Sequence, residues 1–502
     1  MVGVAGKSKA CINCKRRRVK CGLERPGCLR CEKARTKCLG YGQQRLFVNM
    51  VADPSVSKSS PSRLQDHGNG TNDSESDSFG TLTHLIALAN SPAMSPRSFR
   101  QQAFRLIKKL YLPQPQVVGG SLTGNVIPNT WFGAVCDLDG PCVVLDHALI
   151  AFCAIQMHVT NTENVSRDQG IEHYNSTLAQ LSAALSHGED IQIDYILASL
   201  VVLSTCEIFC FPTDDGLRVH IQGISDIMRF QHGSTDVSPT TWTKLWSRLR
   251  VISVLSHLTG GPPSSVTVAQ WVSVRRTQNA NLDPIDQLMD IVDDLPRILD
   301  LIRDAFRKRS FAESDFTSTI TALWHILRDI YSWQAILYTN TAIPAYTVKP
   351  SGVHNISDEA YDSKLFPLSL DFSSFSSAIL LISSWAMQLQ ILIHIQRISE
   401  VCEEATVVPT QFQYLHGSFG NFRREGTKLA HLLCQSIEYS HRIEVGTFGF
   451  QILVYPGWVV RQFYEFAGME RELRWCQYVN DMSGTGIRAG MQLMKFRGTI
   501  GI

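Results

Sequence analysis

The sequence predicts a small metal-stabilised domain followed by a large all-α domain. Three observations predict it. Six of the fourteen cysteines fall within residues 11–38. A polar stretch from Asp53 to Phe79 carries little aliphatic content. From residue 81 onward, apolar residues recur with the 3.6-residue period of helices, and strand-like alternation is scarce.

The cysteines are spaced Cys11-x2-Cys14-x6-Cys21-x6-Cys28-x2-Cys31-x6-Cys38. This is one ligand triplet written twice, offset by 17 residues: Cys11 maps to Cys28, Cys14 to Cys31 and Cys21 to Cys38. The nearest histidine is His67, so the segment offers only thiolates. Soft thiolates select zinc, which takes four ligands in a tetrahedron. Six ligands leave two arrangements: one ion with two cysteines spare, or two ions sharing bridging thiolates. The equal triplets favour sharing. A disulfide framework needs an oxidising compartment, and residues 1–10 lack the apolar stretch of a signal peptide. Iron–sulfur ligation uses other spacings. The first domain is therefore read as a zinc cluster binding two ions.

Residues 1–40 carry twelve Lys/Arg against two acids, Glu24 and Glu32. Two zinc ions and six thiolates would leave this head near +8, while the rest of the chain sums to −8. The whole-chain figure of +2 hides that split. A cationic head on an acidic body marks a polyanion binder. Between the ligands runs Lys15-Arg16-Arg17-Arg18-Val19-Lys20. Lys15 and Arg16 follow Cys14 directly and should point away from the metal. Arg17 and Arg18 end the short helix and become the groove probes, since arginine can donate twice to guanine O6 and N7. Lys20, Arg30, Lys33 and Arg35 suit phosphates, which give affinity without sequence information. The plainer alternative is a solvated charge run or an import signal. Its place between metal ligands favours the DNA surface.

Residues 10–41 resemble the fungal binuclear zinc-cluster DNA-binding domain. The likeness rests on the six cysteines, the basic stretch after the second, and Pro26 in the loop between halves. Gly40-Tyr41-Gly42 and Leu46-Phe47-Val48 also look typical of it. The resemblance implies that Cys11 and Cys28 bridge the two zincs, with Cys14 and Cys21 completing one site and Cys31 and Cys38 the other. It also implies recognition of CGG-like triplets in double-stranded DNA, with Arg17 and Arg18 at the base-reading positions. A nuclear, zinc-dependent transcription regulator of RNA polymerase II genes follows as the expected function.

The domain boundaries expected are 1–45 for the cluster, 46–80 for a disordered linker and 81–502 for the helical regulatory body. Residues 53–79 are too polar to pack. Ser60-Pro61, Ser91-Pro92 and Ser95-Pro96 are candidate phosphosites or plain linker serines. The sequons at Asn69 and Asn72 would be idle in a nuclear protein. No a/d heptad run lies between Leu39 and Thr81, so monomer and body-mediated homodimer both stay open, as does half-site spacing.

In the body, helical periodicity marks 99–112, 146–159, 167–186, 193–209, 218–232, 241–258, 284–307, 317–338, 374–401, 422–440 and 457–479. The apolar run 378–395 is long enough to span a bilayer. Ser383, Ser384, Gln388, Gln390 and His394 interrupt it, which favours a buried central helix and no membrane partner. Asp286, Asp290, Asp293, Asp294, Asp300 and Asp304 alternate with apolar residues, as an activation surface or as an amphipathic packed helix kinked at Pro296. The packed helix is the plainer expectation. Three segments, 172–178, 206–209 and 220–223, resemble the helical regulatory domain that accompanies this zinc cluster in fungi.

No Gly-x-x-x-x-Gly-Lys loop, His-Glu-x-x-His or Gly-x-Ser-x-Gly is present. Catalytic residues are not identified, and the chain is not read as an enzyme. Cys136, Cys142, Cys153, Cys206, Cys210, Cys402, Cys434 and Cys476 read as reduced core thiols, with Cys206/Cys210 a weaker metal or oxidant sensor. His173 and His220 read as satisfied polar groups between helices. Two functions compete: a DNA-reading regulator whose body meets co-regulators, and an effector-binding or enzymatic body that the cluster attaches non-specifically to DNA.

Overall fold

A computed structural model describes residues 14, 17, 19–22, 28–34 and 36 of the head. In the body it describes 81–114, 117–118, 121–122, 131–162, 164–187, 193–210, 215–230, 239–261, 283–308, 313–339, 343–401, 422–479 and 482–484. The chain divides into two compact units, 1–49 and 50–502. The polar stretch 53–79, Ser60 and both sequons lie outside the described residues.

In the head, α1 spans Leu29–Lys33 and Cys28 is its N-cap, with the Cys28 sulfur accepting from the Cys31 N–H. The body is predominantly helical. Helix α2 (Leu82–Ala89) leads into α3 (Pro96–Leu110), which Ser95 caps from its hydroxyl while Pro96 takes the first turn. Ser95 is thus a helix cap, not a loose linker serine. Phe99, Ala103, Leu106, Ile107 and Leu110 line the buried face of α3 at helical spacing. The short α4 (Trp131–Cys136) follows, then α5 (Val143–Val159), α6 (Arg167–His187) and α7 (Ile193–Cys210). Helix α5 packs against α3, α6 and α7. Helices α8 (Asp215–Phe230) and α9 (Pro239–Leu258) complete this half.

The second half begins with α10 (Pro284–Ile291) and α11 (Leu295–Lys308). The sequence reads this stretch as one helix kinked at Pro296. Instead the break comes earlier, in a turn at 292–294, and Pro296 lies in the first turn of α11, where a missing N–H does no harm. Helix α12 (Glu313–Thr339) and α13 (Phe375–Val401) flank an antiparallel pair, β3 (Tyr346–Pro350) on β4 (Leu368–Phe372). A smaller pair, β1 (Val117–Val118) on β2 (Ser121–Leu122), precedes α4. Helices α14 (Phe422–Gln435), α15 (Ile437–Ser440), α16 (Phe448–Gln451), α17 (Val454–Ala467) and α18 (Glu470–Gln477) close the body.

Helix α13 is the centre of the second half, packed by α12, α14 and α17. The apolar stretches 193–210 and 375–400 have the length and hydropathy to cross a membrane, yet 89% and 83% of their windows are buried inside the body. Their polar residues find internal partners, which makes them core helices. Ser384 accepts from Gln334, which also accepts from Gln388. Gln390 donates to the Leu258 carbonyl and accepts from Tyr455.

The two halves of the body interlock through backbone. Thr447 N–H donates to the Leu110 carbonyl, Phe448 N–H to that of Tyr111, and Gln114 N–H to that of Glu444. Gly446 turns this strap with φ of 69°, close against the Tyr111 carbonyl, where a Cβ has no room. Gly446-Thr447-Phe448-Gly449 is therefore a structural turn. Tyr111 is fully buried among Phe132, Phe152, Phe209 and Phe448 at centroid distances of 5.1 to 6.0 Å.

Candidate metal centre and nucleic-acid interface

Cys14, Cys28 and Cys31 converge in the head. Their sulfurs all lie within 4.8 Å of one another, and Cys14 Sγ is 3.7 Å from Cys28 Sγ. A tetrahedron with Zn–S near 2.3 Å has an S–S edge of about 3.8 Å. The spacing thus fits two ligands of one zinc ion, without a covalent bond between them. All three thiols are buried, and Val19 and Cys21 pack against them. A buried, all-sulfur donor set suits zinc and excludes hard cations. Cys11 and Cys38 lie outside the described residues.

The sequence repeat is also a structural one. Val19 N–H donates to the Cys14 carbonyl at 3.0 Å, and Thr36 N–H donates to the Cys31 carbonyl at 3.0 Å. Both are bonds from residue i+5 to residue i, related by the same 17-residue offset as the ligands. The second ends α1, which starts at the Cys28-x2-Cys31 pair, in the six-to-one pattern of a helix C-terminus, and the first closes the same span after Cys14. The metal ligands and the helix stop are therefore specified together in each half.

Arg17 sits in the turn after Cys14, and it and Lys20 are both exposed. In the second half Arg30 and Lys33 are exposed as well. Lys15, Arg16 and Arg18 lie outside the described residues, as do Pro26 and Arg35. Burial thus separates the chemistries: sulfurs inward, guanidinium and ammonium groups outward. A surface of cations on a metal-fixed backbone can bind phosphates and present arginine to base edges.

In the body, the segments 172–178, 206–209 and 220–223 meet at one buried polar cluster. Tyr174 Oη donates to Glu207 and lies 2.9 Å from His220 Nε2, which is 3.6 Å from the Glu207 carboxylate. All three side chains are buried. Burial, followed by the Glu207 charge, pushes the Tyr174 hydroxyl far above its ordinary pKa, so it stays a proton donor. Gly216 lies so close that a Cβ there would overlap the Glu207 carboxylate. His220 is thereby a satisfied core histidine, as its sequence context suggests.

Four of the six acids between Asp286 and Asp304 are half-buried against α9. Arg250 donates to Asp290 at 2.5 Å and to Asp293 at 3.1 Å. Asp286 accepts from Ser247 at 2.7 Å, and His257 pairs with Asp300 at 2.6 Å. Asp294 and Asp304 pair locally with Arg297 and Arg307 on the surface. The stretch is a packed amphipathic helix pair, and its carboxylates neutralise α9.

Cys206 and Cys210 are buried, and burial raises both thiols, Cys210 to about 12. Such thiols carry almost no thiolate and are poor sensors. Cys136, Cys142, Cys153, Cys434 and Cys476 are likewise free and buried, while Cys402 lies outside the described residues.

With this geometry in place, residues 9–46 match the family model of the fungal Zn(2)-Cys(6) binuclear cluster domain. Residues 137–381 match that of the fungal specific transcription factor domain. That match ends within α13, whereas the apolar core around α13 continues to Met482. No curated protein and no solved structure matches the chain.

Proposed function

We propose that this chain, which joins a fungal Zn(2)-Cys(6) binuclear cluster domain to a fungal specific transcription factor domain, is a sequence-specific regulator of RNA polymerase II transcription acting in the nucleus. Two zinc ions are held by Cys11, Cys14, Cys21, Cys28, Cys31 and Cys38. Arg17 and Arg18 read CGG-like triplets in the major groove, Lys20, Arg30, Lys33 and Arg35 hold phosphates, and Lys15 and Arg16 belong to the same DNA-binding segment, pointing away from the metal. The zinc supplies a rigid fold to residues too few to build a hydrophobic core. The body, residues 81–502, is a regulatory domain rather than an enzyme, and the polar stretch before it tethers the two.

The observation that carries this reading is the pairing of a buried Cys14–Cys28–Cys31 sulfur cluster with exposed Arg17 and Lys20 on the same short segment. The metal fixes the backbone from which the cations project. The test is a titration of the full-length, zinc-loaded protein on a CGG duplex and on a scrambled duplex at moderate salt. Preference for the CGG duplex supports the reading. Equal binding to both leaves the cluster as a non-specific attachment for the body.

A further inference from the structure

Arg248 and Arg250 lie two residues apart on α9, yet their charges are treated differently. Arg250 has two carboxylates, Asp290 and Asp293. Arg248 has buried Nε and Nη2 atoms with no hydrogen-bond partner among the described residues. Those two atoms form one edge of the guanidinium. Their N–H bonds point the same way, as the side-on fork that receives the two oxygens of a carboxylate. A desolvated guanidinium with that edge empty is far more costly than a paired one.

The surroundings are aromatic. The Arg248 Cζ stands 5.5 Å from the Trp131 ring centroid, and α4, which carries Trp131, packs against α9. Tyr111 is close enough for the Arg248 charge to act on its hydroxyl. The Tyr111 hydroxyl already donates to Gln451, so Tyr111 is not a counter-charge. Arg248 as a whole is only half-buried, although its Nε and Nη2 are fully covered.

We propose that Arg248 is the anchor of a binding site for a small organic acid, its side-on fork holding the carboxylate while Trp131 faces the apolar or aromatic part of the ligand. A planar monoanion fits better than a phosphate. One guanidinium balances one carboxylate charge, whereas a phosphate dianion would be left half-neutralised beside aromatic rings. Burial lowers the pKa of Arg248, and among the described residues the titratable group acting on it is Tyr111. A bound carboxylate would relieve that strain on the charge.

The test is thermal unfolding of the full-length, zinc-loaded protein with benzoate, phenylacetate and indole-3-acetate, against benzamide and inorganic phosphate. At least one acid should raise the unfolding midpoint saturably, and benzamide should leave it unmoved. Arg248→Met should abolish the shift. Arg248→Lys, which keeps the charge but loses the fork, should weaken apparent affinity about tenfold or more, and it decides the matter if the methionine variant fails to fold. The site is overturned if no acid moves the midpoint, if benzamide matches benzoate, or if the shift survives in the variants. A phosphate shift as large as that of the acids overturns the carboxylate assignment. None of these outcomes depends on DNA, so they stand apart from the function proposed above.

Discussion

Cys14 and Cys28, fourteen residues apart in the chain, bring their sulfurs to 3.7 Å, close to the edge of a zinc–thiolate tetrahedron. Cys28 also caps α1, whose Cys31 supplies the third sulfur. One residue therefore joins the two halves of the head and starts α1.

Cys28→Ala should for that reason do more damage than loss of a peripheral ligand. The expected result is loss of both ions and of DNA binding, with the body's unfolding midpoint unchanged. Elemental analysis and calorimetry of the purified variant check this. Retention of one ion with intact DNA binding would count against a shared sulfur.

The cations should divide into readers and holders. Arg18→Ala should cost about 1–3 kcal/mol on a CGG duplex and relax preference at one base pair. Lys20→Ala should weaken all duplexes about equally and reduce the salt slope by about one. Matched titrations on cognate and scrambled DNA separate the two. Identical losses for both variants on both duplexes would remove the distinction.

Gly216 is needed by its neighbour, not by its own backbone. Gly216→Ala would drive a methyl into the buried Glu207 carboxylate and disturb its bond from Tyr174. A loss of about 2–4 kcal/mol is expected, in the range of overpacked buried polar sites. Tyr174→Phe should lose about 1–3 kcal/mol, because a buried acceptor loses its donor. Urea unfolding of the full chain measures both. Two neutral substitutions would mean that the cluster contributes nothing to stability.

The acids beside Arg250 should be structural. Replacing Asp290 and Asp293 together by Asn strands a buried guanidinium and should destabilise the body by about 3–5 kcal/mol. Asp294→Asn and Asp304→Asn, in exposed pairs, should change stability by less than about 1 kcal/mol. A reporter assay with the Asp294 and Asp304 variants should show unaltered output at equal protein level. A large loss of output there would restore the activation-surface reading.

Acid should loosen the second half. Burial pushes His394 and His441 down to about 4, and each donates its Nδ1 proton to a helical carbonyl. Their folded pKa values lie below the unfolded value of about 6.5. Their contribution is therefore complete above that value and is lost as pH falls toward 4. Asp194, raised to about 6 by burial, works in the opposite sense over part of that range. With His173 and His431 also lowered and Asp146 also raised by burial, four histidines against two aspartates give a net fall in midpoint between about pH 7 and pH 5. His441→Gln should flatten the slope, and an unchanged slope would rule out this histidine as a source.

Much of this was legible in the chain. The ligand triplets announced the sulfur cluster because metal ligation constrains spacing directly. The long helices announced themselves through periodicity, and 378–395 could be placed in the core by its interrupting polar residues. Other features carry no local signal. The β3–β4 pair joins Tyr346–Pro350 to Leu368–Phe372 across a long connection, so no tight turn marks it. Helix α2 is short, and little in its pattern separates it from a linker. The break before Leu295 was displaced from Pro296 because proline is tolerated in a first turn. The empty fork of Arg248 depends on what α9 meets in space, and nothing in the sequence separates it from the paired Arg250.

The most direct measurement is native mass spectrometry of the full-length protein, with DNA binding followed in parallel during chelation. The account predicts two zinc ions per chain, leaving together as CGG-duplex binding disappears. One ion or none, or duplex preference that survives complete removal of the metal, would contradict it.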